Sequence, residues 1–235
     1  MLFNIFDFLH SLNMEKAGRK EKNENGENFN IIIYNELKKF YKEKKQWWPW
    51  EKTAYMPISA ILTQATNWRN VEKAINNLKN AGIKTFEDVI NNADKLEELI
   101  KPAGFYRKKA KRIIALANLF IKKKNIERDD LLSLNGFGKE TTDSILLYHF
   151  DKPYFVIDNY TKRFHERLTG KKEQCYEKLA AFYGKSLTVE EMKEFHGLIV
   201  EHCKNTCKKD PLCNKCPLIN LCFYYKNHEA RNKKG

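Results

Sequence analysis

The 235-residue sequence predicts an all-α fold, for two reasons. Its apolar residues recur at intervals of three and four, and no segment shows the period-two alternation of a half-buried strand. It contains only ten Gly and six Pro, so it has little of the turn material that many short strands need. Apolar residues make up 42% of the chain, which is enough for a substantial core. We expect about ten helices with short connections.

The helices can be placed in order along the chain. The first begins near Phe29 and carries Ile33, Leu37, Phe40 and Tyr41 on one face. A second apolar stripe follows, with Gly82 as its C-terminal stop. Later stripes predict further helices, one formed by Ala110, Ile113, Ile114, Ala117 and Ile121 and another by Met192, Phe195, Ile199 and Cys203.

Three helix starts have capping signals. Thr85 with Asp88 and Thr188 with Glu191 have the spacing of a capping box. Asp94 is expected to cap a short helix that ends at Pro102. Upstream of the first helix, the polar segment from Ala17 to Asn30 predicts that residues 1–28 form an extension and linker.

The charge of the chain favours a polyanionic partner. Its 43 basic and 30 acidic side chains leave a net charge of +13, which in a folded protein favours nucleic acid as the partner. The longest uncharged stretch, Thr53 to Trp68, is too short and too polar to cross a bilayer. Met1 to Leu12 is a poor secretory signal, so we expect a cytoplasmic protein without membrane association.

A glycine corner stands between two predicted helices. In the segment Leu134-Asn135-Gly136-Phe137-Gly138-Lys139, the glycines allow positive φ and close approach to another molecule. The following helix begins with unpaired N–H groups and the positive end of its dipole, which suits a phosphate. The segment has the pattern of a helix-hairpin-helix motif, although an ordinary Gly-rich connection has the same local sequence.

Asp158 precedes a helix with Tyr160, Phe164 and Leu168 on its apolar face. This position predicts an N-cap. The amide donors and dipole at a helix start also keep a carboxylate ionised, as a group facing a developing cation requires.

Four of the six cysteines are confined to sixteen residues, namely Cys207, Cys213, Cys216 and Cys222. Such density in a cytosolic chain indicates metal rather than disulfides. Structural zinc usually takes two separated C-x2-C pairs, whereas one compact run with a single pair favours a [4Fe–4S] cluster. Zinc remains the alternative, and Cys203 is a rival for the first ligand.

Taken together, these motifs resemble the helix-hairpin-helix DNA glycosylase superfamily, and the cysteines resemble its endonuclease III branch. Gln64-Ala65-Thr66-Asn67 resembles the Q-A-T-D segment of that branch, and Gly104 to Ala110 resembles its G-[LF]-Y-x-x-K-A segment. The resemblance implies two helical domains with the DNA and base-binding cleft between them. The first would comprise residues 29–46 and 153–235, with the catalytic Asp and the cluster loop, and the second residues 47–152, with the hairpin at about 125–150.

One departure bears on the chemistry. Bifunctional endonuclease III enzymes carry a nucleophilic Lys in the hairpin where this chain has Glu140, and Lys139 stands one residue earlier, about 100° away on a helix. Trp47-Trp48-Pro49-Trp50, Gly136 to Glu140 and Phe195-His196-Gly197 resemble the bacterial 3-methyladenine DNA glycosylases built on the same scaffold.

The resemblance implies a monofunctional glycosylase of base excision repair that releases alkylated purines. Asp158 would be catalytic, and Gln64, Gly136, Gly138 and Lys139 would bind DNA, helped by the basic run Arg107, Lys108, Lys109, Lys111 and Arg112. Trp47, Trp48, Trp50 and Trp68 would line the base pocket, unless they pack in the core. The partner would be damaged double-stranded DNA, and we expect a monomer. Two alternatives are a bifunctional glycosylase/lyase acting on oxidised pyrimidines and a non-catalytic lesion binder.

Overall fold

The structure, a computed structural model, describes residues 28–41 and 47–232, with the backbone alone for residues 228–232. The predicted extension at residues 1–28 lies almost wholly outside these ranges. Within them the regular structure consists of α-helices and short 3-10 turns and includes no β-strand, so the predicted all-α class is confirmed. None of the described helices has the length and apolar character needed to span a membrane.

The chain forms two compact units. Unit 1 takes the described residues of Met1–Lys45 and Ile157–Gly235, and unit 2 takes those of Gln46–Val156.

Unit 2 is built around the packing of α2 against α8. The helices of this unit are α2 (Tyr55–Leu62), α3 (Trp68–Asn80), α4 (Phe86–Asn91), α5 (Leu96–Leu99), α6 (Tyr106–Lys122), α7 (Arg128–Leu132) and α8 (Lys139–Tyr148). Every residue of α2 is buried, as is α8 from Thr141 to Tyr148. Helix α6 packs against α2, α4 and α5, and α7 packs against α8. Because α7 packs against α8 and α8 packs against α2, this arrangement fixes the position of the glycine corner between α7 and α8.

Unit 1 is built around α11. Its described helices are α1 (Phe29–Phe40), α9 (Asn159–Thr169), α10 (Tyr176–Gly184), α11 (Val189–Asn205) and α12 (Phe223–Asn232). Helix α11 packs against α1 and α9, and α9 also packs against α12. The start of α9 and the middle of α11 are thereby brought together.

Two of the three predicted helix caps are confirmed. Thr85 with Asp88 and Thr188 with Glu191 both form complete capping boxes, at the starts of α4 and α11. The prediction for Asp94 is wrong. The chain turns through residues 92–95, so α5 begins at Leu96 with Lys95 at its N-cap and no side-chain cap. Asp94 therefore stands one residue before the position from which a side chain caps a helix.

Lys109 does not lie on an exposed basic face, which corrects its place in the predicted DNA-contacting run. Its side chain is 1% exposed because it shares the inward face of α6 with Ile113 and Leu116. Its ammonium group donates to the carbonyls of Leu62, at 2.9 Å, and Ala103, at 2.8 Å. Lys109 therefore binds carbonyl groups at the end of α2 and in the 3-10 turn before α6. Burial and the nearby charge of Arg112 lower the pKa of Lys109 to about 8.

Candidate functional site

Asp158 is the N-cap of α9, as the sequence predicts. Its Oδ1 accepts hydrogen bonds from the backbone N–H of Thr161, at 2.7 Å, and from the Thr161 hydroxyl, at 2.9 Å. The side chain of Asp158 is 15% exposed. One carboxylate oxygen is thus fixed by the helix start.

The second carboxylate oxygen of Asp158 faces a buried histidine. His196, in α11, is 5% exposed and places its Nε2 3.7 Å from Oδ2. Burial of Asp158 opposes ionisation, but the facing imidazole of His196 and the two donors of Thr161 outweigh it, so the pKa of Asp158 lies below its usual value. Sequence reasoning did not pair these residues, because only the packing of α9 on α11 brings them together.

Only one of the two glycines in the corner has the positive φ that the sequence analysis allows both of them. Gly136 has φ +83°, a left-handed value that suits glycine, and Gly138 is the N-cap of α8. Between them Phe137 is 5% exposed and anchors the corner in the core of unit 2.

The two glycines differ in what surrounds them. A Cβ added to Gly136 would lie 2.0 Å from Nε of Arg112, whereas one added to Gly138 would meet nothing within 4 Å. Gly138 also has an ordinary φ of −85°. The fold therefore does not itself require glycine at position 138. A molecule that bound closely against the exposed backbone there would require the absence of a side chain.

Gln64 lies on a strained turn beside this corner. It follows α2, and the next residue, Ala65, has φ +52°, which is unfavourable for a residue with a Cβ. The Gln64 amide donates to the carbonyl of Gly136, at 3.2 Å, and to the hydroxyl of Thr141, at 3.0 Å. Arg112, which sequence reasoning treated only as part of a basic run, donates to Oε1 of Gln64.

Three of the four tryptophans pack together. The rings of Trp50 and Trp68 stack at 5.9 Å, and Trp48 contacts Trp68 edge-on and lies against Tyr148. The Trp48 indole N–H donates to Ser59 at 2.8 Å, and the ammonium of Lys79 lies over Trp50 at 5.1 Å. A cation thus already lies over the Trp50 ring, and all four tryptophans are half-buried.

Phe105 is a candidate that sequence reasoning missed. Its ring is 66% exposed and its φ is +46°, at the N-terminus of α6. Strained backbone of this kind is common at functional sites, which makes the exposed ring of Phe105 a candidate contact residue. No local sequence signal distinguishes it from a buried Phe.

The four predicted cysteine ligands line one cavity. Cys207, Cys213, Cys216 and Cys222 all line one pocket, which is partly open to solvent. Cys203, the rival first ligand, is 1% exposed and is not among the residues that line this cavity. The guanidinium of Arg167 closes one side, at 3.4 Å from Sγ of Cys207.

The donor set of this pocket is four cysteine thiols. Tetrahedral zinc, with Zn–S bonds of about 2.3 Å, needs its sulfurs within about 4 Å of one another. In the described part of the chain no three His, Cys, Asp or Glu side chains converge in a way that could hold a metal ion. Four thiolates are the ligand set of a cubane cluster, whose irons each take one, and also of a structural zinc ion.

Protonation of the thiols differs from one to another. Hydrogen bonding from Cys203, and then from Arg167, lowers the pKa of Cys207, whereas burial raises the pKa of Cys216 to about 12. Metal binding at these residues would therefore release at least the Cys216 proton.

The predicted site residues fall into groups by unit. In unit 1 Asp158 meets Thr161 and His196, and the four cysteines share their cavity. In unit 2 Gln64 meets the glycine corner, and Trp48, Trp50 and Trp68 form the aromatic group.

Comparison with known proteins identifies the family. Residues 58–188 match the family described as "HhH-GPD superfamily base excision DNA repair protein". A protein of Methanocaldococcus jannaschii named "Putative DNA repair glycosylase MJ1434" is 44% identical over 208 residues, which are 81% of this chain and 94% of that protein. Endonuclease III of Thermotoga maritima is 31% identical over 75% of this chain and 86% of its own length.

Solved structures give the same assignment. The 3-methyladenine DNA glycosylase of H. pylori, bound to 1,N6-ethenoadenine, has a TM-score of 0.68 and 29% identity, over 74% of this chain and 97% of that one. An endonuclease III in a non-covalent DNA complex has a TM-score of 0.72 over 85% of this chain and 96% of that one, and at 24% identity it shares the fold. This chain therefore belongs to the HhH-GPD superfamily of base excision DNA repair proteins, and it is a DNA glycosylase of that family.

Proposed function

We propose that this chain is a monofunctional DNA glycosylase that hydrolyses the N-glycosidic bond of alkylated purines such as 3-methyladenine in double-stranded DNA. The observation that carries the proposal is Asp158, an ionised carboxylate with one oxygen held by Thr161 and the other facing His196. Bifunctional relatives carry their amine nucleophile at a hairpin position where this chain has Glu140. Without that amine no Schiff base forms, so the bond would be hydrolysed by water.

Asp158 would act on the sugar. As the C1′–N bond breaks, its electron pair leaves on the base and the sugar becomes cation-like. The carboxylate stabilises that charge, orients a water molecule and accepts its proton as the water oxygen bonds to C1′. Because Oδ1 is already fixed by two donors, the carboxylate is preorganised for this role.

The glycine corner would hold the DNA backbone. The exposed backbone at Gly138 and the first N–H groups of α8 suit a phosphate, and Lys139 adds positive charge. Such contacts give affinity without reading sequence. Phe105 would add an aromatic contact from the start of α6.

Gln64 would occupy the space that a flipped nucleotide leaves. Rotating a nucleotide out of the stack costs a few kcal/mol and is easiest for a damaged base. To enter the duplex, Gln64 must give up its hydrogen bonds to Gly136, Thr141 and Arg112. The strained backbone at Ala65 would be relieved or kept in that movement.

The substrate class follows from charge and from similarity. A purine alkylated at N3 or N7 is a cation, and indole faces at Trp47 and Trp48 attract it by about 0.5–2 kcal/mol. Similarity to the H. pylori 3-methyladenine glycosylase supports the same class. Similarity to endonuclease III supports the alternative, a bifunctional enzyme acting on oxidised pyrimidines.

We further propose a [4Fe–4S] cluster held by Cys207, Cys213, Cys216 and Cys222. When bound, it would cross-link the loop between α11 and α12 and so order the basic residues Lys208, Lys209 and Lys215 for contact with DNA. A protein that acts on chromosomal DNA is expected in the cytoplasm, with the nucleoid.

The test is Asp158→Asn, since Asn is also a good N-cap and keeps the helix start. Base release from a duplex carrying 3-methyladenine is measured at single turnover, with duplex binding measured in parallel. We expect binding to persist and release to fall by about 10²–10⁴-fold. Asp88→Asn, the same change in the capping box of α4, is the matched control and should leave release unchanged.

Each other outcome contradicts part of the proposal. An Asp158→Asn enzyme with normal rates would remove Asp158 from the chemistry. Release of oxidised pyrimidines alone would favour the endonuclease III activity. Tight binding of every lesion without release by the native chain would favour a non-catalytic lesion binder.

A further inference from the structure

His202 lies between the cysteine cavity and a buried pair of hydroxyl groups. It is in α11, 1% exposed, with Nε2 3.6 Å from Sγ of Cys216. Its Nδ1 is 3.0 Å from the hydroxyl of Tyr41, which is 2.8 Å from the hydroxyl of Thr206. We propose that His202 is a positioning residue that donates a hydrogen bond to the Cys216 thiolate, in a ring orientation set by Tyr41 and Thr206. The inference rests on the proposed cluster.

The chemistry of the four groups fixes the direction of each hydrogen bond. A metal-bound thiolate carries no proton and can only accept, so Nε2 of His202 must carry a hydrogen in this bond. In the tautomer with that single ring hydrogen, Nδ1 has a lone pair and accepts from the Tyr41 hydroxyl. The Tyr41 oxygen in turn accepts from Thr206. In this series of hydrogen bonds, which runs from Thr206 through Tyr41 and His202 to Cys216, every donor faces an acceptor.

The surroundings hold the ring in this orientation. Tyr41 and Phe164 both contact the imidazole edge-on, each with ring centres 5.8 Å from it. The backbone carbonyl of His202 accepts from the N–H of Thr206, at 2.9 Å, and from that of Cys207, at 2.7 Å. The same residue thus fixes the backbone of the first proposed ligand and faces the third. A histidine that merely filled the core would not need Nε2 against a ligand sulfur.

A donor to a ligand sulfur affects the energy of the two redox states differently. Reduction adds negative charge to the cluster and its sulfurs, so the hydrogen bond stabilises the reduced state more and raises the reduction potential. Loss of the donor should therefore make reduction less favourable. Nothing in this effect requires the glycosylase reaction, so it can be measured without DNA.

The experiment uses the full-length holoenzyme. Iron per chain and visible absorbance establish that the cluster is present, and the reduction potential is then measured by voltammetry. His202→Leu removes the donor, Tyr41→Phe removes only the hydroxyl that orients it, and His202→Gln returns an amide N–H near the position of Nε2. Tyr183→Phe is the matched control, because Tyr183 bonds to another buried histidine of unit 1, His165, at 3.2 Å.

We expect His202→Leu to lower the equilibrium constant for one-electron reduction about tenfold, a shift of about 59 mV to more negative potential. Tyr41→Phe should shift the potential in the same direction by less, His202→Gln should restore most of it, and Tyr183→Phe should leave it unchanged. If His202→Leu does not take up iron, Tyr41→Phe decides the question. Unchanged potentials in the loaded His202 and Tyr41 variants would overturn the inference. A native protein without iron would overturn it together with the cluster, while leaving the proposed glycosylase activity open to its own test.

Discussion

Asp158 shows how one side chain can be both structural and chemical. Its Oδ1 completes the N-terminus of α9, and its Oδ2 faces His196. Burial alone would favour the protonated acid, but the facing imidazole and the Thr161 donors lower the pKa of Asp158. The carboxylate that we propose stabilises a cation-like sugar is therefore already ionised in the free protein at neutral pH.

The lowered pKa predicts the pH dependence of base release. The ordinary Asp pKa is about 3.9, and in the folded chain it lies lower, so single-turnover release should stay constant as pH falls from 7 towards that value. The free energy of unfolding should change with pH in the same direction. The stabilisation that comes from a lowered carboxyl pKa is complete above the ordinary pKa and is lost as pH falls through the lowered pKa. In His196→Asn, the fall in release should begin at a higher pH. A native enzyme that loses release already between pH 7 and 5 would contradict this assignment.

For single residues, the sequence predicts those structural roles that depend on neighbours close in the chain. The N-cap role of Asp158 follows from positions within a few residues, and it is confirmed. The burial of Lys109 was missed because charge alone favoured the surface. Its carbonyl partners include Leu62, which is 47 residues away in the chain.

At the scale of elements, the two glycines of the hairpin have different roles. Gly136 is required by the fold, because its φ is left-handed and Arg112 lies where a Cβ would be. Gly138 has an ordinary φ and open space around it, so the absence of a side chain there serves to let another molecule come close to the backbone. The sequence alone predicted the corner but could not separate these roles, since they depend on φ and on a contact with α6.

This difference gives a paired prediction for Gly136→Ala and Gly138→Ala. Gly136→Ala should lower the free energy of unfolding by about 1–3 kcal/mol through backbone strain, and Arg112 must also move. For Gly138→Ala, a poorer N-cap and a stiffer unfolded chain oppose each other, so stability should change by less than about 1 kcal/mol. Affinity for an abasic duplex should nevertheless fall about tenfold, which is about 1.4 kcal/mol.

Thermal unfolding and fluorescence anisotropy measure the two quantities separately. If Gly138→Ala binds DNA as tightly as the native chain, the N-terminus of α8 is not the phosphate site.

Helix caps also show that local sequence predicts only those features that nearby residues determine. Thr85 and Thr188 were predicted correctly because a capping box is complete within four residues, whereas Asp94 depended on how the chain turned before α5.

Across the whole molecule, the predicted site residues are divided between the two units. The carboxylate and the cysteines belong to unit 1, and the hairpin, Gln64 and the tryptophans belong to unit 2. The sequence predicted the helical class and the family because motif order and apolar spacing are properties of the chain. The pairs His196 with Asp158 and His202 with Cys216 join residues at least 14 apart in the chain and become visible only in the structure.

The central claim is that this chain hydrolyses the glycosidic bond through Asp158, without an amine nucleophile. The most direct measurement incubates the native chain with a 3-methyladenine duplex in the presence and absence of borohydride, and follows free base, strand length and protein mass. We expect free base, an intact abasic strand and a protein of unchanged mass. A strand cleaved by β-elimination, or a protein trapped covalently on DNA after reduction, would contradict the claim.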